Sequence, residues 1–137
     1  MTTPDFKPFQ PRTLVGRTTL LNLTPHPVTI AVGDGRLLTL LPTADMLAPQ
    51  VEMCETIVGG IDGIMVKNFG PGRIKHLPPH RKGTFYIVRR VVAKAASLMD
   101  DEFEDDRSDL VYPADLEHDR SGRVVACRSL GSFHWSL

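Results

Sequence analysis

The sequence predicts a sheet-dominated α+β fold, a single domain with one main amphipathic helix. Short runs in which apolar and polar residues alternate recur along the chain, and this period is typical of half-buried strands. Eleven glycines and eleven prolines supply many turns between such strands. One stretch, between residues 88 and 99, has the spacing of an amphipathic helix.

The chain divides into one domain and two short ends. Its 137 residues fit a single domain with its own core, predicted over residues 13–130. Residues 1–12 are rich in proline and are interpreted as a flexible N-terminal arm, and residues 131–137 as an aromatic tail. No stretch is long and apolar enough to cross a bilayer, so we expect a cytoplasmic protein with no membrane partner.

The predicted strands of the first half are separated by glycine and proline turns. Residues 13–23 and 27–32 precede the tight turn Gly33-Asp34-Gly35, and residues 36–41 return from it. Further strands follow at 51–58, 64–68 and 73–77. The pairs Gly59-Gly60 and Asp62-Gly63 bracket one turn, Gly70-Pro71-Gly72 makes a second sharp turn, and Pro78-Pro79 places 80–83 in a loop.

The second half contains the predicted helix. A strand at 84–87 leads into it, and its apolar stripe comprises Val88, Val91, Val92, Ala95 and Met99. The acidic run 100–106 ends it, since acids are unfavourable at a helix C-terminus. Strands at 109–113 and 123–128 follow, joined by a turn at 119–122.

The charges are strongly segregated. Residues 63–99 contain eight Lys/Arg and two His but no acid, and residues 100–119 then contain ten acids. The net charge of zero hides these two blocks, which either neutralise each other or leave the basic block to face an anion.

The anion hypothesis makes the protein a non-catalytic binding module for a small, nucleotide-like ligand. Basic side chains near a helix start favour phosphate, and polar side chains at a strand break complete the set. The predicted ligand-binding residues are Asn22, Thr24, His26, Arg73, Lys75, Arg81, Lys82 and Arg89. The alternative is a solvated surface balanced by residues 100–106.

Residues 22–28 allow two interpretations. Two prolines fix the backbone around His26, which suits either a ligand-facing imidazole or an Asx/Thr turn whose side chains bond loose backbone groups; the turn is favoured. An enzymatic alternative makes His26 the general base of a hydrolase, oriented by Asp109. No nucleophile or metal constellation supports it, so binding is favoured over catalysis.

Neither cysteine nor histidine spacing predicts a metal or a cofactor. Cys54 and Cys127 lie far apart and fit two reduced, buried thiols, although a single disulfide between them stays open. His76 and His80 have helical zinc-ligand spacing, but the prolines between them forbid a helix. A pI near 7.0 disfavours a nucleic-acid partner, and the proline-rich arm and aromatic tail leave a homo-oligomer open.

Several short motifs occur together in order. They are residues 22–28, 77–79, 83–88, 107–113 and 119–130, the last of which includes the motif at 122–125. In these motifs the chain resembles a family of small uncharacterised proteins of bacteria and their phages, which implies a fold and a genomic setting rather than a reaction. A protein-interaction module using the acidic run and the aromatic tail fits that setting. Family members often have serine where this chain has Arg89, so no serine chemistry is expected there.

Overall fold

The protein is sheet-dominated, with a single helix among the residues that the structure describes. The structure is a computed structural model, and it describes residues 12–15, 18–32, 35–99 and 107–133. The elements are β1 (Arg12–Val15), β2 (Thr18–Asn22), β3 (Val28–Ala31), β4 (Leu37–Leu40), β5 (Gln50–Ile61), β6 (Ile64–Lys75), β7 (Thr84–Ile87), α1 (Arg90–Leu98), β8 (Leu110–His118) and β9 (Val124–Gly131). Residues 1–11 of the predicted arm, the acidic run 100–106 and residues 134–137 of the tail lie outside the described residues.

Seven strands form one mixed sheet in the order β1-β2-β7-β8-β9-β3-β4. Strand β7 lies parallel to both β2 and β8. Parallel neighbours need a crossover rather than a tight turn, and α1 supplies it between β7 and β8. β8 and β9 are antiparallel and meet at the predicted turn, where Asp119 Oδ1 accepts bonds from the backbone amides of Ser121 and Arg123.

β4, the last strand in this order, and the residues just after it contact the end of β2. Asn22, the last residue of β2, forms a parallel bridge with Pro42, just beyond β4. Its carbonyl accepts a 2.9 Å bond from the amide of Thr43, and its side-chain Nδ2 donates to the carbonyl of Leu40 at 2.9 Å. The sheet therefore closes on itself between β2 and β4.

The closed sheet encloses an apolar cluster to which six strands contribute. Its buried members are Val28, Ile30, Leu40, Ile87, Val111 and Cys127, with Leu20, Leu38, Phe85 and Leu130 packed against them. Successive side chains of a strand point to opposite faces, so Tyr86 belongs to a different cluster from its neighbour Ile87. Burial raises the pKa of the Cys127 thiol and keeps it protonated.

The second apolar cluster, to which Tyr86 belongs, lies beneath α1 and is here called the outer cluster. Val92, Ala93 and Ala96 pack there against Tyr86 and other residues of the sheet. The prediction that Val91 belongs to the buried stripe is wrong, because Val91 is 53% exposed. The alanines, which contribute little to a hydropathy pattern, occupy the centre of the buried face since their small side chains let the helix approach the sheet closely.

The strands β5 and β6 form a separate two-stranded sheet, here called the long hairpin. Its turn is Asp62-Gly63, with both residues at positive φ (47° and 84°), as a type I′ turn requires. Two parts of the prediction are wrong. Gly70-Pro71-Gly72 is not a turn but part of β6, and Gly59-Gly60 lies within β5 beside a bulge. The two strands are therefore longer and more continuous than the sequence predicts.

A variant tests whether the sheet depends on Asn22. We expect Asn22→Ala to lower the free energy of unfolding by about 3 kcal/mol or more, because it leaves buried carbonyl and amide groups without partners. Thr24→Ser keeps the neighbouring hydroxyl and should cost about 1 kcal/mol or less. Urea denaturation measures both, and a loss below about 1 kcal/mol for Asn22→Ala would contradict the role given to this amide.

Candidate functional site: the root of the long hairpin

The predicted polar residues at the end of β2 bond mainly to one another. Asn22 is fully buried, and its Nδ2 donates to the His26 carbonyl as well as to Leu40. Its Oδ1 accepts the Thr24 amide at 2.9 Å, and the Thr24 hydroxyl lies 2.7 Å from Oδ1 and 2.9 Å from the His26 carbonyl. The amide of Asn22 thus has all its donors and acceptors engaged, in an Asx/Thr turn. His26 is exposed and contributes its carbonyl.

A buried ion pair fixes the loop that precedes β7. Arg107 Nε and Nη2 donate to the two carboxylate oxygens of Asp109, each at 2.9 Å, and both side chains are buried. Nη2 also donates to the carbonyl of Pro78, and the Tyr86 hydroxyl donates to that of Pro79. Burial raises the pKa of the Tyr86 phenol, which therefore stays a neutral donor. Asp109, which the hydrolase hypothesis assigns to His26, gives both oxygens to Arg107.

Two of the predicted basic residues meet at the root of the long hairpin, the end where it joins the domain. Arg73 Nε and Lys75 Nζ both contact the carboxylate of Glu52 on β5, the lysine at 3.2 Å. The bond from Lys75, together with the nearby Arg73, holds the Glu52 pKa below its ordinary value. One carboxylate thus serves two cations, so this group keeps a surplus positive charge.

A shallow surface depression of about 510 Å³ lies beside this group. It is lined by Arg73, Ile74, Lys75 and His76. His76 adopts a positive φ of 63° directly after β6, at the point where the chain leaves the hairpin. The depression is open to solvent and basic, which suits a small anion more than an apolar ligand.

The other predicted basic residues belong to other segments of the chain. Arg81 and Lys82 are exposed in the loop before β7, and Arg89 is exposed at the N-cap of α1 without a capping bond. Among the described residues, none of the three forms an ion pair with Glu52. Within the described residues, the ion pairs therefore join Arg73 and Lys75 at Glu52 and do not include the other predicted cations.

The counterions of the basic block were missed at the sequence level. Within the described part of the chain, they come from β5: Glu52 pairs with Arg73 and Lys75, and Glu55 with Lys67. The sequence signal for this pairing was the Asp62-Gly63 turn, which sets the register of the two strands. Each strand has one irregularity and the two offsets cancel, so Glu52 and Arg73 stand at equal distances from the turn and face each other.

The two cysteines differ in environment. Cys127 is buried, as predicted, but Cys54 lies exposed on β5, so the prediction of two buried thiols is wrong for Cys54. Its Sγ occupies the space next to Gly72, where an added Cβ would sit 2.0 Å from the sulfur. The irregular strand at Gly70-Pro71-Gly72 thus lets the sulfur pack against bare backbone.

No protein-family model, no curated protein and no solved structure matches this chain. The resemblance to the bacterial and phage family accordingly stays a prediction. Within the described residues, no helix has the length and apolar character that a membrane crossing requires. In the same part of the chain, no three His, Cys, Asp or Glu side chains gather as metal ligands would.

The shared carboxylate gives a prediction about acid titration. In a ¹³C NMR titration we expect the Glu52 pKa to lie below 4.5 and to rise towards that value in Lys75→Met. A carboxyl whose folded pKa is lowered stabilises the protein above its unfolded pKa, and that contribution disappears as the pH falls through the folded value. Lys67→Met removes a different ion pair and serves as the control. Equal Glu52 pKa values in wild type and Lys75→Met would contradict the assignment.

Proposed function

We propose that the protein is a non-catalytic binding module that engages another protein chain through the long hairpin. The supporting observation is the exposure of large apolar side chains along it. Met53, Ile57, Met65 and Phe69 are each 58 to 64% exposed, although the hairpin's root packs on the domain core. Contiguous exposed apolar surface of this kind is typical of interaction sites.

The geometry of the hairpin supports the same role. A two-stranded hairpin is marginally stable in water on its own and needs a further strand or a packing surface. At the root, Val51 and Ile74 pack against the outer cluster. Beyond the root, in the part of the chain that the structure describes, no third strand joins the hairpin. A bound chain would supply the missing surface.

The catalytic hypothesis draws less support from the same structure. Asp109 is committed to Arg107, and the amide of Asn22 is committed to the turn. The polar atoms of both side chains are engaged in hydrogen bonds within the fold, which favours binding over a reaction.

Photo-crosslinking tests the proposed function. A benzophenone amino acid at position 57 should form a discrete protein adduct in cells that express the chain, because Ile57 lies on the exposed apolar surface. The same probe at Leu47, an exposed apolar residue outside the hairpin, is the matched control. The adduct should disappear in Phe69→Ser. Failure to form a discrete adduct from position 57, or equal adducts from both positions, would rule out the hairpin as the binding element.

A small anion at the root of the hairpin is a second candidate, favoured by the basic depression beside Arg73 and Lys75. Pyrophosphate and ADP, titrated separately, should shift the amide NMR signals of residues 73–76. Glu52→Gln removes the competing carboxylate and should tighten binding several-fold, whereas Arg73→Ala should abolish it. Unchanged signals in both wild type and Glu52→Gln would eliminate this candidate.

A further inference from the structure

The long hairpin has one face that is more apolar than the other. Side chains alternate along each strand, so Met53 and Ile57 of β5 share a face with Met65 and Phe69 of β6. These four residues are here called the apolar face. It continues the side on which Val51 and Ile74 contact the core, so the core-facing surface of the root extends into solvent.

The opposite face is polar along its middle. Cys54, Thr56 and Asn68 lie there, and its apolar side chains gather towards the tip, where Val66 is half-buried and Ile61 and Ile64 are exposed. A partner that covers one face of the hairpin therefore gains most by covering the apolar face.

The charges on the hairpin cancel. Its acids are Glu52, Glu55 and Asp62, and its bases are Lys67, Arg73 and Lys75. The single ion pair on the apolar face, between Lys67 Nζ and Glu55 Oε1 at 3.4 Å, is itself neutral. Two identical hairpins can thus approach without net repulsion. A strongly charged partner, in contrast, would meet no surface of opposite net charge on the hairpin.

The area of the apolar face matches a small specific dimer. Four residues that are 58 to 64% exposed, each with about 200 Å² of surface, contribute on the order of 500 Å² per copy. Two such faces bury about 1,000 Å² in total, which is the lower bound for a specific interface.

We propose that the apolar face binds the same face of a second copy of this chain, in a two-fold sandwich of two long hairpins. A two-fold axis makes one self-complementary patch sufficient for both partners. The sandwich would place two twisted two-stranded sheets face to face, about 10 Å apart, with the Met, Ile and Phe side chains interdigitated. This inference rests on the proposed function, since it names the chain that the hairpin binds.

Sedimentation equilibrium of the full-length protein tests the proposal. At about 100 μM, where a micromolar Kd populates a dimer, the wild type should be dimeric. Ile57→Ser/Phe69→Ser should weaken dimerisation by at least about 100-fold, because it removes two apolar anchors from the centre of the contact. Ile61→Ser/Ile64→Ser makes the same chemical change on the other face and should leave the dimer intact. Met65→Glu, a single exposed change that would bury a carboxylate in the apolar contact, provides a second disrupting variant, and NMR spectra verify that each variant is folded.

Each outcome decides the proposal. A monomeric wild type overturns it, and so does a dimer that survives both Ile57→Ser/Phe69→Ser and Met65→Glu. If Ile61→Ser/Ile64→Ser dissociates the dimer, the contact lies on the opposite face and the proposal is wrong. If the purified chain is monomeric while the position-57 probe still crosslinks to a different protein, self-association fails but the proposed function stands. If neither dimer nor adduct forms, both fail.

Discussion

A single buried amide joins β2 to β4 and so closes the seven-stranded sheet on itself. Asn22 bonds through its backbone to Thr43 and through its side chain to Leu40, His26 and Thr24, so one residue ends β2, holds β4 and shapes the loop between β2 and β3. The enclosed core needs this closure, because an open sheet would expose one side of that cluster along β4. Leucine or valine at this position would fill the space but leave the surrounding carbonyls without donors.

The buried Arg107–Asp109 ion pair fixes the backbone on the side of the sheet that α1 covers. By donating to the Pro78 carbonyl, Arg107 fixes the loop between the long hairpin and β7, and Asp109 completes the pair from just before β8. Val51 and Ile74 anchor the hairpin's root on the outer cluster. In the part of the chain that the structure describes, no further strand supports the hairpin beyond this root, so it leaves the domain from a well-ordered base, an arrangement that suits the proposed binding role.

Local signals predict much of this architecture. Alternation locates most strands, Asp62-Gly63 gives the turn of the long hairpin, and prolines mark the loop before β7. The Gly70-Pro71-Gly72 signal misleads because β6, which among the described residues pairs with β5 alone, tolerates proline, and the bulge tolerates glycine. The pairing of Glu52 with Arg73 follows from the register that the Asp62-Gly63 turn sets. Closure by Asn22 and the exposure of Met53 depend on contacts between distant segments, and no local pattern encodes them.

The turn at Asp62-Gly63 lies at the tip of the long hairpin, at the opposite end from the root that packs on the core. Residues added or removed beside it change only the reach of the hairpin and leave the domain intact. Changes of one residue on each strand move the tip by one rung and keep the phase of all side chains nearer the root. Evolution can thus adjust the length of the hairpin in small increments while the fold that carries it stays the same.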